Sequence, residues 1–336
     1  MVVWLAMDRG SLRITKCLLF VMSACVSGGA QQPAATTQPG DAMHAAYSTL
    51  RPAAQWKIGE NADWVGIERS SVWVTSKNPN TLVRIDSRTN KVTDTIALPG
   101  DACSGFAFGF GSVWVPMCAK PNALLRVDLA THRAITLPIG PAGPEGGIAA
   151  SADSVWLVSD DAGTLVRIDP KSNQVRQRIA IAQGSYNPIA SHGRIWVTSV
   201  KEGLVTAVDA KTGAVIGTLA VGPGPRFLTA GGGSVWTLNQ GDGTITRVDE
   251  ARMKAVATID AKLPGHGGDI AYGDGDVWAS LSGTPLTRID GRTNRILRQW
   301  AGAGGDALRV GLGAIWVTDY DKGMLLRIPV RQATGR

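Results

Sequence analysis

The sequence is short of charge and of reactive side chains. Only 18% of its 336 residues are Asp, Glu, Lys or Arg, and it holds 4 His and 4 Cys. So little charge excludes a coiled coil, and no Gly-X-Y period supports collagen. No apolar run reaches the roughly eighteen residues that a bilayer-spanning helix needs. Cys–His zinc spacing, Gly-x-Ser-x-Gly, a P-loop and a complete calcium loop are all missing, which leaves the common metal, hydrolase and nucleotide chemistries without a motif. What the chain holds in quantity is 41 Gly, 17 Pro and 11 Trp within a 44% hydrophobic composition. That describes a turn-rich globular chain able to bury a large core.

Lys and Arg exceed Asp and Glu by 34 − 27 = 7. A basic excess raises nucleic acid or an anionic membrane as partner, but the placement argues against both. Arg84, Arg126, Arg167, Arg247, Arg288 and Arg327 recur at one position of a repeat, mostly as Arg-Ile-Asp or Arg-Val-Asp. They belong to the scaffold, and no nucleic-acid partner is expected.

At the N-terminus, Arg9, Arg13 and Lys16 precede the apolar stretch Cys17 to Ala24, the layout of a secretory signal. It ends in Val-Met-Ser-Ala-Cys25, which resembles a bacterial lipobox, so Cys25 is the expected lipidation site; cleavage after Ala30 is the alternative. Residues 1–25 are thus read as signal and lipobox, 26–54 as a flexible linker, 55–330 as the folded domain and 331–336 as a tail. A periplasmic protein or membrane-anchored lipoprotein follows, monomeric and touching the membrane only through its anchor.

Two cysteines remain beyond the signal, Cys103 and Cys118. If residues 110–111 turn a hairpin, cross-strand partners sum to 221, and so do these two positions. A disulfide is expected, with two buried free thiols as the alternative. Pro116 is awkward in a paired strand and points to a bulge that shifts the register.

Self-similarity carries most of the information. Trp73, Trp114, Trp156, Trp196, Trp236, Trp278 and Trp316 each sit in a segment such as Ser-Val-Trp-Val, at spacings of 41, 42, 40, 40, 42 and 38. Each unit reads as four short β segments separated by turn residues, with no amphipathic helical run between them. Four strands in a period near forty imply an all-β, seven-bladed β-propeller of four-stranded antiparallel blades; a parallel β-helix is the alternative. The seventh unit ends after three strands, and Gln55 to Ile58 matches an outermost strand, so the last blade is expected to close on the N-terminal strand. The repeated Trp residues read as packing between blades, and the Asp after each Arg-Ile or Arg-Val as a turn cap.

Positions that differ among the seven copies are released from the packing role and become the candidates for function. Ten residues before each Trp, the loops approaching the innermost strands carry Asp63, Ser104, Gly146, Tyr186, Arg226, Gly268 and Asp306. Three residues after each Trp come Ser76, Met117, Ser159, Ser199, Asn239, Leu281 and Asp319. The polar exceptions gather in blades 5 to 7: Arg226, Asn239, Gln240, Asp242, His266, Asp269, Asp306 and Arg309 are expected to converge on the channel mouth and bind a ligand. Glu145, Tyr186 and Asn187 would complete the rim. His44, His132 and His192 lie in the linker or in turns away from that face, which leaves His266 as the histidine placed for chemistry.

The Gly-Ser-Val-Trp-Val, Arg-Ile-Asp and Thr-Asn-Lys-Val elements over residues 55–330 resemble the virginiamycin B lyase (streptogramin lyase) family and its exported seven-bladed relatives. That resemblance implies a magnesium-dependent, C–O bond-breaking elimination that opens a cyclic depsipeptide, with a His base and acidic metal ligands in the top-face loops. His266, twelve residues before Trp278, would then be catalytic, and Asp242, Asp269 and Asp306 would offer oxygens to a hard cation. The glutamate that the lyases carry shortly after the second-strand Trp is missing, with Asn239 and Asp319 the nearest polar substitutes, and no second His lies on that face. The leading expectation is therefore an exported propeller without a cofactor that binds a small molecule, peptide or envelope protein at the mouth. The magnesium-dependent lyase and a platform using the blade sides are the alternatives.

Overall fold

Within each repeat, the second strand is buried at nearly every position and the outermost strand is partly exposed. A propeller requires this difference, because a middle strand is covered on both faces by neighbouring blades, whereas the rim strand shows one face to water. In the computed structural model, which describes residues 43–118, 120–263 and 266–335, Ser234–Asn239 is buried at every position. Val175–Ala180, on a blade's rim, alternates between partly buried and exposed until Ile179. Cys25 and the earlier part of the expected linker lie outside the described residues.

Seven antiparallel sheets make up the ring. The first blade runs through Asn61–Glu68, Ser71–Lys77, Thr81–Asp86 and Lys91–Ala97. The seventh combines Leu308–Gly311, Ala314–Asp319 and Met324–Pro329 with Ala54–Lys57, which pairs antiparallel with Met324–Pro329 as the outermost strand. The stretch read as linker is ordered from residue 43 onward. His44–Ala46 adds a fifth strand, parallel to Gln299–Ala301, to the rim of the sixth blade, and Leu50 is buried beyond it. The tail is likewise docked: the short helix Val330–Thr334 buries Val330 and Ala333, and Gln332 exchanges hydrogen bonds with the backbone of Arg51.

The repeated Trp and Arg form one device. All seven Trp side chains are buried. Trp114, Trp236, Trp278 and Trp316 donate their indole N–H to the carbonyl of the glycine five residues earlier, at 3.1–3.3 Å. The repeat arginine lies over the indole of its own blade, 4.7 Å away for Arg126 on Trp114 and 4.8 Å for Arg247 on Trp236. Its guanidinium then reaches the following blade: Arg126 donates to Asn173, Arg247 to Asn294 and Arg327 to Asn90. Each arginine thus holds a tryptophan and a neighbouring turn together. In the fourth blade the repeat position is Ala207, and Arg194 from the adjacent strand covers Trp196 instead.

The second blade departs from the template. Its innermost strand is only Ala107–Gly109, paired Ala107↔Trp114, Phe108↔Val113 and Gly109↔Ser112, so the register sums to 221 and Pro116 causes no shift. Pairing on that side has ended before Pro116 is reached, so its missing N–H breaks no ladder. In place of the ladder, Cys103 and Cys118 are joined by a disulfide with Cα atoms 5.6 Å apart, and the Cys118 N–H donates to Asp101.

Candidate functional site

At one end of the channel, the approach loops and the ends of the second strands enclose a pocket of about 340 Å3. Blades 1, 2, 3, 5, 6 and 7 all contribute to its lining. Trp64, Phe227 and Tyr320 form aromatic walls, Asp63, Glu145, Asp306 and Asp321 supply carboxyls, and Lys77 and His266 supply nitrogens.

Local irregularities in the sheets put these side chains there. In the first blade the pairing slips between Ala62 and Val65, so Asp63 and Trp64 together oppose Thr75, whose Oγ1 accepts the Trp64 N–H at 3.0 Å. The same slip recurs between Ser185 and Pro188, around Tyr186 and Asn187, and between Pro225 and Phe227, around Arg226. A bulge inserts residues that the ladder does not use and re-aims their side chains. Three of the rim segments arise in this way.

Two networks stiffen the mouth. On one side Arg226 pairs with Glu145 at 3.0 Å and lies 5.1 Å from the Tyr186 ring, while the Asn187 side-chain amide donates to the carbonyls of Glu145 and Arg226. On the other, Asp306 accepts the Gly268 N–H at 3.0 Å, and Gln240 donates to the Gly267 carbonyl at 2.6 Å. Gly268 has φ +81°, and a Cβ there would lie 2.0 Å from the Ser280 carbonyl oxygen, so only glycine fits. The loop holding His266 is therefore clamped by blades 5 and 7.

The charge balance at the mouth is acidic, opposite to that of the whole chain. Lys77 sits 3.6 Å from Asp63 and 3.4 Å from Asp101, beside the Tyr320 ring. Burial pushes its ammonium down, but Asp63 and Asp101 outweigh burial and hold it above its ordinary value. Asp63 is 8% exposed; burial, then repulsion from Asp306, pushes its carboxyl up to about 7 against the pull of Lys77. Asp306 is raised to about 6, again chiefly by burial, with Asp269 and Glu145 adding repulsion against backbone hydrogen bonds. No ion pair forms to Asp306 among the described residues. Trp64, 6% exposed in the pocket wall, carries an indole N–H without a partner.

Of the eight sequence candidates, His266 and Asp306 line this pocket, and Arg226 and Gln240 brace its rim. The other four do not join them. Asn239 is fully buried and spends its side chain on Thr237, Thr244 and Thr246 within its own blade. Asp242 caps its turn through the Thr244 N–H and hydroxyl. Asp269 is buried and paired with Arg309, where burial pushes the carboxyl up and the guanidinium opposes it. Arg309 itself lines the lower channel beside Tyr272 and Val310. Asp242, Asp269 and Asp306 therefore share no cavity, and among the described residues no group of three or more His, Cys, Asp or Glu is placed to hold a metal ion.

Counting three residues past each Trp selected positions that point into the blade. One step further lie Lys77, Ser282 and Tyr320, all of which line the pocket. Strand alternation carries that signal. Trp64 and Phe227 had none, since their placement depends on bulges.

The family model described as the outer membrane protein assembly factor BamB matches residues 126–299, just over half of the chain. The chain belongs to this family. The BamB match and the seven sheets together make it a propeller scaffold of the kind that binds partners. No curated protein matches the chain. Among solved structures, the computationally designed Ika8 protein superposes with TM-score 0.60 over 80% of this chain and 96% of that one, at 14% identity. That likeness extends to the fold alone.

Proposed function

We propose that this protein is an exported binding propeller whose ligand, a small molecule, a peptide or a segment of an envelope partner, seats in the channel-mouth pocket. One observation carries the reading: side chains from six blades converge on one concave, mixed aromatic and acidic pocket, while the repeat template is spent on packing. Pockets of this composition, concave with a few convergent polar groups, are the usual form of a ligand site. The Cys103–Cys118 bond suits an oxidising compartment, and the family's name refers to an outer-membrane protein; both support placement in the envelope.

The lyase reading is second, favoured by His266 lying in the same pocket as Asp306. One experiment separates the two. A mixed set of small molecules and short peptides is screened by saturation-transfer NMR against the wild-type protein and Ser282→Trp, whose indole fills the mouth from an exposed position. Binding that saturates and disappears in the variant, with no product formed, supports the binding propeller. Magnesium-dependent turnover lost in His266→Ala supports the lyase, and ligands that bind wild type and Ser282→Trp equally well overturn the mouth as the site.

A further inference from the structure

Among the described residues at the mouth, the lysine and the arginine are paired while Asp306 is not. Lys77 is shared by Asp63 and Asp101, and Arg226 is matched by Glu145, so an anionic ligand would find neither cation free. Asp306 faces the same space with backbone hydrogen bonds and no counter-ion among the described residues, and its charge disfavours ionisation of Asp63. A ligand that brings its own positive charge relieves that repulsion, as a bound proton does. The walls add a second requirement. Aromatic faces flanking carboxylates favour a cation carried on a hydrocarbon stem over a bare, strongly hydrated ion.

Resting on the mouth as the binding site, we propose that the pocket takes an organic cation, an alkylammonium or guanidinium head seated between Asp63 and Asp306, with its stem against Trp64, Phe227 and Tyr320. A volume of about 340 Å3 admits one such head and stem, the size of a lysine or arginine side chain with its adjoining amide or of a free diamine. Both sources present the same chemistry.

Isothermal titration of the whole protein with agmatine, N-acetyl-lysine amide and its neutral Nε-acetylated counterpart tests the assignment. The two cations should bind and the neutral analogue should not. Asp306→Asn should weaken both cations roughly tenfold or more, since a charge-assisted contact is lost. Asp242→Asn, a turn cap outside the pocket, should leave them unchanged. Circular dichroism on each variant verifies folding. Tighter binding of agmatine assigns the site to free amines, and tighter binding of the lysine amide assigns it to a basic side chain on a peptide. Should neutral or anionic compounds bind and be lost in Ser282→Trp while the cations do not bind, the cation assignment fails and the mouth stands. If magnesium or calcium alone binds with the same loss in Asp306→Asn, an inorganic ion replaces the organic one. Absence of any Ser282→Trp-sensitive binding overturns both readings.

Discussion

Asp63 and Asp306 are held in the folded protein at about 7 and about 6, well above the ordinary aspartate value. Between about pH 4 and 7 the folded state therefore binds more protons than the unfolded chain, and stability falls as pH rises through that window. For a carboxyl as enclosed as Asp63, a shift of this size corresponds to an effect on the order of a few kcal/mol. The turn-capping Asp86, Asp128, Asp209 and Asp290 act with the opposite sign, because hydrogen bonds from the turn lower their values. Their contribution is lost only as pH drops below about 4, so the two effects separate. The wild-type melting temperature should fall from pH 5 to pH 8, whereas Asp63→Asn, which leaves Lys77 its Asp101 partner, should flatten the slope and melt higher at pH 8. Parallel wild-type and variant curves would remove the assigned pair. At this scale the sequence was half legible. Position ten before each Trp did mark Arg226 and Asp306, because the template leaves it free, but the choice of blades 5 to 7 passed over Asp63 at the same position. Asn239 misled because a polar residue that breaks a repeat reads the same whether it faces a ligand or three threonines.

Among the elements, the second blade shows how a covalent bond substitutes for a missing ladder. With only Ala107–Gly109 paired, the approach loop from residue 98 to 106 lies outside the ladder that the first, fourth and fifth blades extend further, as the corresponding loop does in the third blade. This loop carries Asp101, the second partner of Lys77, and its Cys103 and Gly105 backbones bond to Glu145 and Gly146 of the third blade. The disulfide spans 15 residues, and a loop of that length confers about 3 kcal/mol by restricting the unfolded chain. Cys103→Ser/Cys118→Ser should lower the unfolding free energy by about that amount in urea titrations, and treating wild type with reductant should reproduce the loss. If the double variant unfolds at the wild-type midpoint, the loop is held by its backbone contacts alone. The pairing was legible from arithmetic on the turn, since a two-residue hairpin fixes the register completely. The bulges at Asp63, Tyr186 and Arg226 were not legible, because an inserted residue leaves the Trp spacing within the scatter that loop length already produces.

Across the whole molecule, seven copies of a marginal four-stranded sheet gain stability only when the ring is closed, because each open edge exposes a strand ladder and an uncovered blade face. Closure falls on Ala54–Lys57, which pairs with Met324–Pro329 in the register Ala54↔Arg327 to Lys57↔Met324. Trp56 stacks on Trp316 at 5.9 Å, and its indole N–H reaches the carbonyl of Asn90, the same residue whose side chain accepts from Arg327. One short strand thus joins the last blade to the first. The fifth strand on the sixth blade does less: His44–Ala46 covers a rim whose sheet is already complete, with both of its outer residues exposed. Its presence was not legible, because a three-residue strand in a linker of mixed composition has no periodicity of its own. Replacing residues 54–57 by a Gly-Ser stretch of equal length should lower the melting temperature by about 10 °C or more, on the scale of several kcal/mol for a domain of this size. The same replacement at residues 44–46 should cost about 2–4 °C. Differential scanning calorimetry distinguishes the two, and equal depressions would mean that the ring is held by the arginines that reach the next blade's turn and not by the strand that joins its ends.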